Sequence, residues 1–425
     1  MPPTTPLSGL DVAFLSLERA STPMHVGAVA VFRPETPVDP DEVARLLAAR
    51  IDAMPKLRKR VRSTLFPPGG AEWASTPDFR AADQISAYRL PEELDLLDAY
   101  ASSWLERPLD LSRPPWDLHV VTGLPHGEFA VLFKLHHALT DGAGAVEIAA
   151  GLLDGLCERP PPAESVPAPL PGLLDRLRQG VDVAGSVVQA MRAPWSAPLL
   201  SRTTPAREFA RVRLDLADIR HIRRTHGGTV NDVLLAVLTG ALRDWMDASG
   251  RKVDGVDVRA LIPVNIRGRG DAGGGNQISG YLCDLPVGEP DPVARLKAVR
   301  TAMDANKLAG PKKGAGALSM MASWLPPLAH RVGTRLLAAA TPMLFDTVVT
   351  AVPFPPMVLR LAGAEMREVY PIVPIAPGHR VSIAVSTYRD GVHIGINADA
   401  GAVVNVGRFA DAIVKSTATL HELCA

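Results

Sequence analysis

Only three cysteines, Cys157, Cys283 and Cys424, occur in 425 residues, widely separated and odd in number. That pattern excludes a disulfide framework, offers no zinc cluster, and fits a reducing, cytoplasmic setting. Charge of one sign is also missing: Lys plus Arg and Asp plus Glu each total 45. A chain of zero formal net charge has no overall electrostatic drive toward nucleic acid, so any polyanion has to be met by a local patch. The opening stretch MPPTTPLSGLDVAF lacks a basic segment leading into an apolar one, so no signal peptide is expected. The longest apolar stretch free of Asp, Glu, Lys and Arg covers residues 314–329 and is interrupted by Pro326 and Pro327. A spanning helix needs about 20 residues, so no transmembrane segment is expected, although peripheral contact with the inner membrane face or a lipid droplet is compatible with the sequence. There is no repeat of 20–50 residues and no G-x-S-x-G nucleophile elbow.

What is present is a globular composition, 47% apolar and 21% charged, long enough for two or three domains. Proline is abundant, 39 of 425 or about 9% against a usual share of about 5%. Six prolines fall between Pro160 and Pro171, and Pro194, Pro198 and Pro205 break a second stretch. An amphipathic helix over 173–191 is expected between them. The chain therefore divides into an N-terminal subdomain at 1–158, a proline-rich linker at 159–205 and a C-terminal subdomain at 206–425. In the first part the patterning predicts strands at 26–32 and 129–135 and helices at 40–54 and 143–156, the earlier helix started by Asp39 and Pro40. In the second part it predicts a helix at 230–246 and strands at 259–262, 277–285, 381–387 and 391–397. Strands interspersed with helices imply an α/β, or α+β layered, fold in each half. The run Gly268-Arg269-Gly270 and Gly273-Gly274-Gly275 lacks the GK[ST] ending of a phosphate loop and reads as a surface loop.

The sharpest local feature is Lys134-Leu135-His136-His137-Ala138-Leu139-Thr140-Asp141-Gly142, at the end of a predicted strand and just before a predicted helix. Strand side chains alternate faces, so only one of His136 and His137 can readily meet a given cleft. The string alone admits three readings. The histidines can be structural and Asp141-Gly142 a turn; they can ligate a metal, for which His119 and His126 on another segment are the nearest further ligands; or one can be a general base, since imidazole titrates near working pH.

The string and its surroundings together resemble the wax ester synthase/diacylglycerol acyltransferase family, within the wider group of CoA-dependent acyltransferases that share the HHxxxDG signature. The resemblance runs over nearly the whole chain. It rests on Pro6-Leu7-Ser8, Asp11, Phe14-Leu15, Glu18 and Pro23-Met24-His25-Val26; on Arg107-Pro108-Leu109-Asp110 and Arg113-Pro114-Pro115-Trp116; on Thr229-Val230-Asn231-Asp232; and on Asn276, Ser279 and Asp284-Leu285-Pro286. It implies two chloramphenicol-acetyltransferase-like subdomains, each a mixed sheet flanked by helices, with an active-site tunnel between them. It implies His137 as general base, His136 as a packing residue, Asp141 as a loop-fixing residue, and Gly142 as room for the pantetheine arm. Asn231 and Asp232 are expected as a helix N-terminal cap. Ser386 and Thr387, at a strand end, are candidates for an oxyanion or tunnel role beside Asn276. The implied activity is transfer of an acyl group from acyl-CoA, a substrate rather than a cofactor, to diacylglycerol or a long-chain alcohol, with no metal. The alternatives are O- or N-acylation of a specialised metabolite and a non-catalytic lipid-binding relative.

Two segments depart from the family pattern: Thr350-Ala351-Val352-Pro353-Phe354-Pro355 replaces a Ser-Asn-Val-Pro-Gly-Pro stretch, and Gly378-His379-Arg380-Val381-Ser382 replaces a glycine-rich, Asn-containing strand start. Both lie toward the implied acceptor side. The basic cluster Lys56, Arg58, Lys59, Arg60 and Arg62 could meet anionic lipid or CoA phosphates, or be a solvated face. The apolar segment 317–345 could wall a lipid tunnel or form ordinary core helices.

Overall fold

The structure is a computed structural model that describes residues 4–64, 70–91, 95–140, 142–155, 199–265, 278–309, 341–355, 357–402 and 405–424. The helix expected at 173–191, the glycine-rich run, Asn276, Asp141 and most of segment 317–345 lie outside these residues.

The first half opens with β1 (Thr4–Pro6) and α1 (Gly9–Leu17), followed by β2 (His25–Arg33) and α2 (Pro40–Asp52). Asp39 caps α2 by accepting the Asp41 N–H, Pro40 takes the first helical position, and Val43, Leu47 and Ile51 recur every four residues as the buried stripe. Next come β3 (Lys59–Ser63), β4 (Ala71–Ser75), β5 (Ile85–Arg89), α3 (Leu97–Glu106), β6 (Trp116–Thr122), β7 (Phe129–His136) and α4 (Gly142–Gly151). The second half contains β8 (Arg207–Asp215), α5 (Leu216–His226), α6 (Val230–Ala248), β9 (Val258–Asn265), β10 (Ile278–Leu285) and α7 (Pro292–Ala309). It ends with β11 (Thr347–Pro353), β12 (Arg360–Leu361), β13 (Ala364–Ile372), β14 (Val381–Tyr388), β15 (Gly391–Asp399) and α8 (Val406–Glu422). The expected helices and strands within the described residues are all present, with ends displaced by a few residues.

Two six-stranded mixed sheets carry the fold, ordered β12-β13-β2-β7-β6-β5 and β10-β9-β11-β14-β15-β8, beside a small β1-β4-β3 sheet. All eight residues of β7 are buried, as a central strand covered on both faces requires. Although β12 and β13 come late in sequence, they complete the first sheet: β13 runs antiparallel to β2, with Tyr370 opposite Val29 and Ile372 opposite Gly27.

β13 also forms the seam with the second sheet. Ser386 Oγ donates to Val369 O at 2.6 Å, while Ser382 Oγ and Asn397 Nδ2 both donate to Val373 O at 2.9 Å. At the same seam a Cβ added to Gly395 of β15 would stand 2.1 Å from the Pro371 carbonyl oxygen. The backbones of the two sheets thus meet where only glycine fits. A core of Val29, Trp104, Leu132, Phe209, Tyr370 and Ile372 fills the space beside it, mixing residues from both halves.

Candidate functional site

β7 ends by delivering two adjacent histidines into different surroundings. His136, the last strand residue, is fully buried, whereas His137 lies in the following turn and is half-buried. His136 N–H donates to Pro115 O at 2.9 Å, which brings the Arg113-Pro114-Pro115-Trp116 motif against the pair. His136 Nδ1 accepts the Ala138 N–H at 3.0 Å, so its ring proton resides on Nε2. That nitrogen lies 3.3 Å from Glu18 Oε2. His137 N–H donates to Met24 O at 2.8 Å, and its ring stacks on Phe14 with centroids 4.0 Å apart and 13° between planes.

The N-terminal motif residues are thereby assembled around the histidine pair. Ser8 and Asp11 form a reciprocal capping box that starts α1; Phe14 and Glu18 come from its far end; Met24 and His25 enter β2. His25 pairs directly with His136 across β2 and β7 and is buried. Burial, reinforced by Lys134, His136 and Arg207, holds its imidazole well below the ordinary value, so it is neutral at pH 7. Lys134 is also buried; its ammonium donates to the Arg107 carbonyl at 2.7 Å and to that of Trp104, closing the end of α3. Burial brings its pKa down to about 8.

In the second half, α6 is capped by Thr229 and Asp232. Thr229 Oγ1 accepts the Asp232 N–H at 3.2 Å and Asp232 Oδ2 accepts the Thr229 N–H at 2.8 Å. Asn231 stands at the second helical position, so the cap expected of Asn231 and Asp232 is instead made by Thr229 and Asp232. Gly142 opens α4. Ser386 is buried with its hydroxyl proton committed to Val369 O, and Thr387 beside it is half-buried.

Of the two departing segments, the first forms β11 through Pro353, which runs parallel to β14 with Val352 beside Ser386 and Pro353 beside Thr387. In the second, His379 is a packed joint: Nε2 faces Phe345 O at 2.8 Å, Nδ1 faces Pro377 O at 2.9 Å, and the ring stacks on Phe345. In the basic cluster, Arg58 pairs with Asp52 at 2.9 Å and Arg62 with Glu72, so part of its charge is met within the chain. A cavity of about 360 Å³ lies at the other end of β2, lined by Arg33, Glu128, Arg213, Arg367 and Glu368 among others; its charged walls do not suit an acyl chain. Among the described residues there is no group of three or more His, Cys, Asp or Glu placed to hold a metal ion. Among them, too, no helix is long and apolar enough to cross a membrane.

Because Ser386 spans the seam, Ser386→Ala is expected to lower the unfolding free energy by about 1 kcal/mol and leave kcat/KM within about threefold. Urea midpoints and steady-state kinetics check this; a loss of about 100-fold at unchanged stability would place the hydroxyl on the reacting oxygen.

Sequence reasoning named Phe14, Glu18, Met24 and His25 only as parts of a motif. The motif places Glu18 near the histidines in kind but does not say what its carboxylate meets.

Comparison with known proteins covers most of the chain. The wax ester synthase/diacylglycerol acyltransferase catalytic domain matches residues 7–182 and 161–234, and the C-terminal domain of the same family matches 274–421. A Mycobacterium tuberculosis H37Rv protein named "Probable diacyglycerol O-acyltransferase tgs1" is 27% identical over 97% of this chain and 95% of its own length. The solved wax ester synthase/diacylglycerol acyltransferase from Marinobacter aquaeolei VT8 superposes with a TM-score of 0.74 at 24% identity, covering 99% of this chain and 100% of that one. The starter condensation domain of rhizomide synthetase, solved with C8-CoA and Leu-SNAC, shares the fold at a TM-score of 0.60 and 18% identity, over 99% of this chain and 94% of that one.

Proposed function

This chain belongs to the wax ester synthase/diacylglycerol acyltransferase family, and from that premise we propose that it transfers an acyl group from acyl-CoA to the hydroxyl of diacylglycerol or a long-chain alcohol, forming triacylglycerol, wax esters or both. The observation that carries the reading to particular atoms is the setting of His137. It is the half-buried member of the pair, with its backbone tied to Met24 and its ring held flat by Phe14, while His136 is sealed away.

His137 takes the acceptor O–H proton as the oxygen attacks the thioester carbonyl. The carbon–sulfur bond then breaks and the imidazolium returns the proton to the CoA thiolate. A positioned base supplies about 10² to 10⁴-fold, and holding both substrates in one site supplies much of the remainder. No acyl-enzyme is required. The family resemblance implies that Asp141 fixes the loop after the histidines and that Gly142 leaves room for the pantetheine arm. It also implies an oxyanion or tunnel role for Asn276. With Ser386 engaged in the seam, oxyanion stabilisation falls to Thr387 or to backbone N–H groups. Acceptors held in a bilayer or droplet imply that the enzyme works in peripheral contact with that surface.

A second reading, O- or N-acylation of a specialised metabolite, is favoured by one observation: β11, which carries the departing residues 350–353, runs directly beside Ser386 and Thr387. Purified protein incubated with palmitoyl-CoA and diacylglycerol, hexadecanol, short alcohols or an amine separates the two. Free CoA released only with the lipid acceptors supports the first reading; release confined to short alcohols or the amine supports the second.

A further inference from the structure

We infer that the end of α1 is the positioning element for the catalytic loop, with Glu18 fixing both chain segments that flank His137 and Phe14 fixing its ring. The inference deepens the reading of His137 as the base and rests on it.

Glu18 is electrostatically out of place. It is the C-cap residue of α1, where the helix dipole is negative and a carboxylate is disfavoured, and its side chain is only 15% exposed. Such a charge persists when other contacts offset its cost. Here Oε2 lies 3.3 Å from His136 Nε2, the nitrogen that bears the proton because Nδ1 accepts from Ala138. Oε1 accepts the Met24 N–H at 3.4 Å and stands 3.9 Å from His25 Nε2. Met24 in turn accepts the His137 N–H through its carbonyl at 2.8 Å.

One carboxylate therefore stands at ion-pair distance from the side chain of the residue before His137 and accepts the peptide N–H of the residue that anchors His137. Phe14, four residues earlier and so on the same helix face, lies flat on the His137 ring. The second half braces the arrangement: Arg207 of β8 donates to Ser21 O at 2.6 Å, in the loop that leads from Glu18 to Met24.

Glu18 acts on His137 through His136 and Met24, so its loss should appear in turnover rather than in substrate binding. Glu18→Gln keeps the size and the acceptor for Met24 but removes the charge. It is expected to lower kcat about 10- to 100-fold while KM for palmitoyl-CoA stays within about threefold. Phe14→Leu should lower kcat about tenfold, and Phe14→Tyr, which keeps the ring, should restore most of it. In a His137→Ala background, Glu18→Gln should cause no further loss, because residues acting as one unit are not additive.

¹⁵N-histidine NMR of the full-length protein gives a readout independent of turnover: His136 should show a proton on Nε2, and Glu18→Gln should shift that resonance. Wild-type kcat for Glu18→Gln, or a full additional loss on top of His137→Ala, overturns the positioning role. If His137→Ala alone retains activity, the base assignment fails instead, and the NMR shift still decides whether Glu18 holds His136.

Discussion

His137→Ala is expected to lose at least about two orders of magnitude in kcat while remaining folded and keeping KM for acyl-CoA within about threefold. The half-buried ring takes little of the core with it, and its backbone bond to Met24 O does not depend on the side chain. Its ring stacks on Phe14 and is half-buried rather than sealed in the core, so the thermal midpoint should shift by a few degrees at most. The neighbouring His136→Ala should behave oppositely. It empties a fully buried site next to Glu18 and Pro115 and is expected to cost about 2 to 3 kcal/mol of stability, with activity falling as a consequence. Measuring turnover and urea unfolding on both variants separates the chemical histidine from the structural one. Near-normal turnover for His137→Ala would remove it from the base role.

Gly395→Ala is the second substitution with a large expected effect, far along the chain from the histidines. Its Cβ would lie 2.1 Å from the Pro371 carbonyl oxygen and 3.3 Å from the Phe209 ring. The first is a backbone atom and cannot rotate away, so β13 and β15 must move apart. Overpacking of this kind costs about 1 to 3 kcal/mol, and the upper end is expected here. The same seam holds the Ser386 and Ser382 hydroxyl bonds, which stretch together with it. If the two sheets set the spacing of the substrate channel, kcat/KM of the folded fraction should fall at least about tenfold, since a displacement of about 1 Å can cost 10²-fold. Wild-type urea midpoint and kcat/KM for this variant would show that the seam does not position the site.

Much of the fold was readable before the structure. Asp39 and Pro40 announce α2, the long apolar pattern after Thr229 announces α6, and alternation at 381–387 and 391–397 announces β14 and β15. Alternation along β7 also foretold that His136 and His137 would meet different surroundings. Partnership was not readable. The alternating residues of β13 show that it is a strand but not that its partner is β2, more than 300 positions earlier in the chain. A strand pattern carries its own period and no address.

The candidate site divides in the same way. The motif string and the resemblance located His137, but the residues that hold it were visible only as letters within a motif. Glu18 is only a motif letter until the fold places it between His136 and Met24. Ser386 reads as an available hydroxyl until β13 arrives to take its proton. Both depend on elements that meet through tertiary packing, which local propensity and spacing do not encode.

Direct acyl transfer from CoA to a hydroxyl with His137 as base can be followed with ¹⁴C-palmitoyl-CoA and diacylglycerol or hexadecanol, for wild-type protein and His137→Ala side by side. The wild type should yield labelled triacylglycerol or wax ester in one-to-one ratio with released CoA, and the variant at least about 100-fold less. No labelled ester from folded wild-type protein with either acceptor, or equal amounts from both proteins, would contradict it.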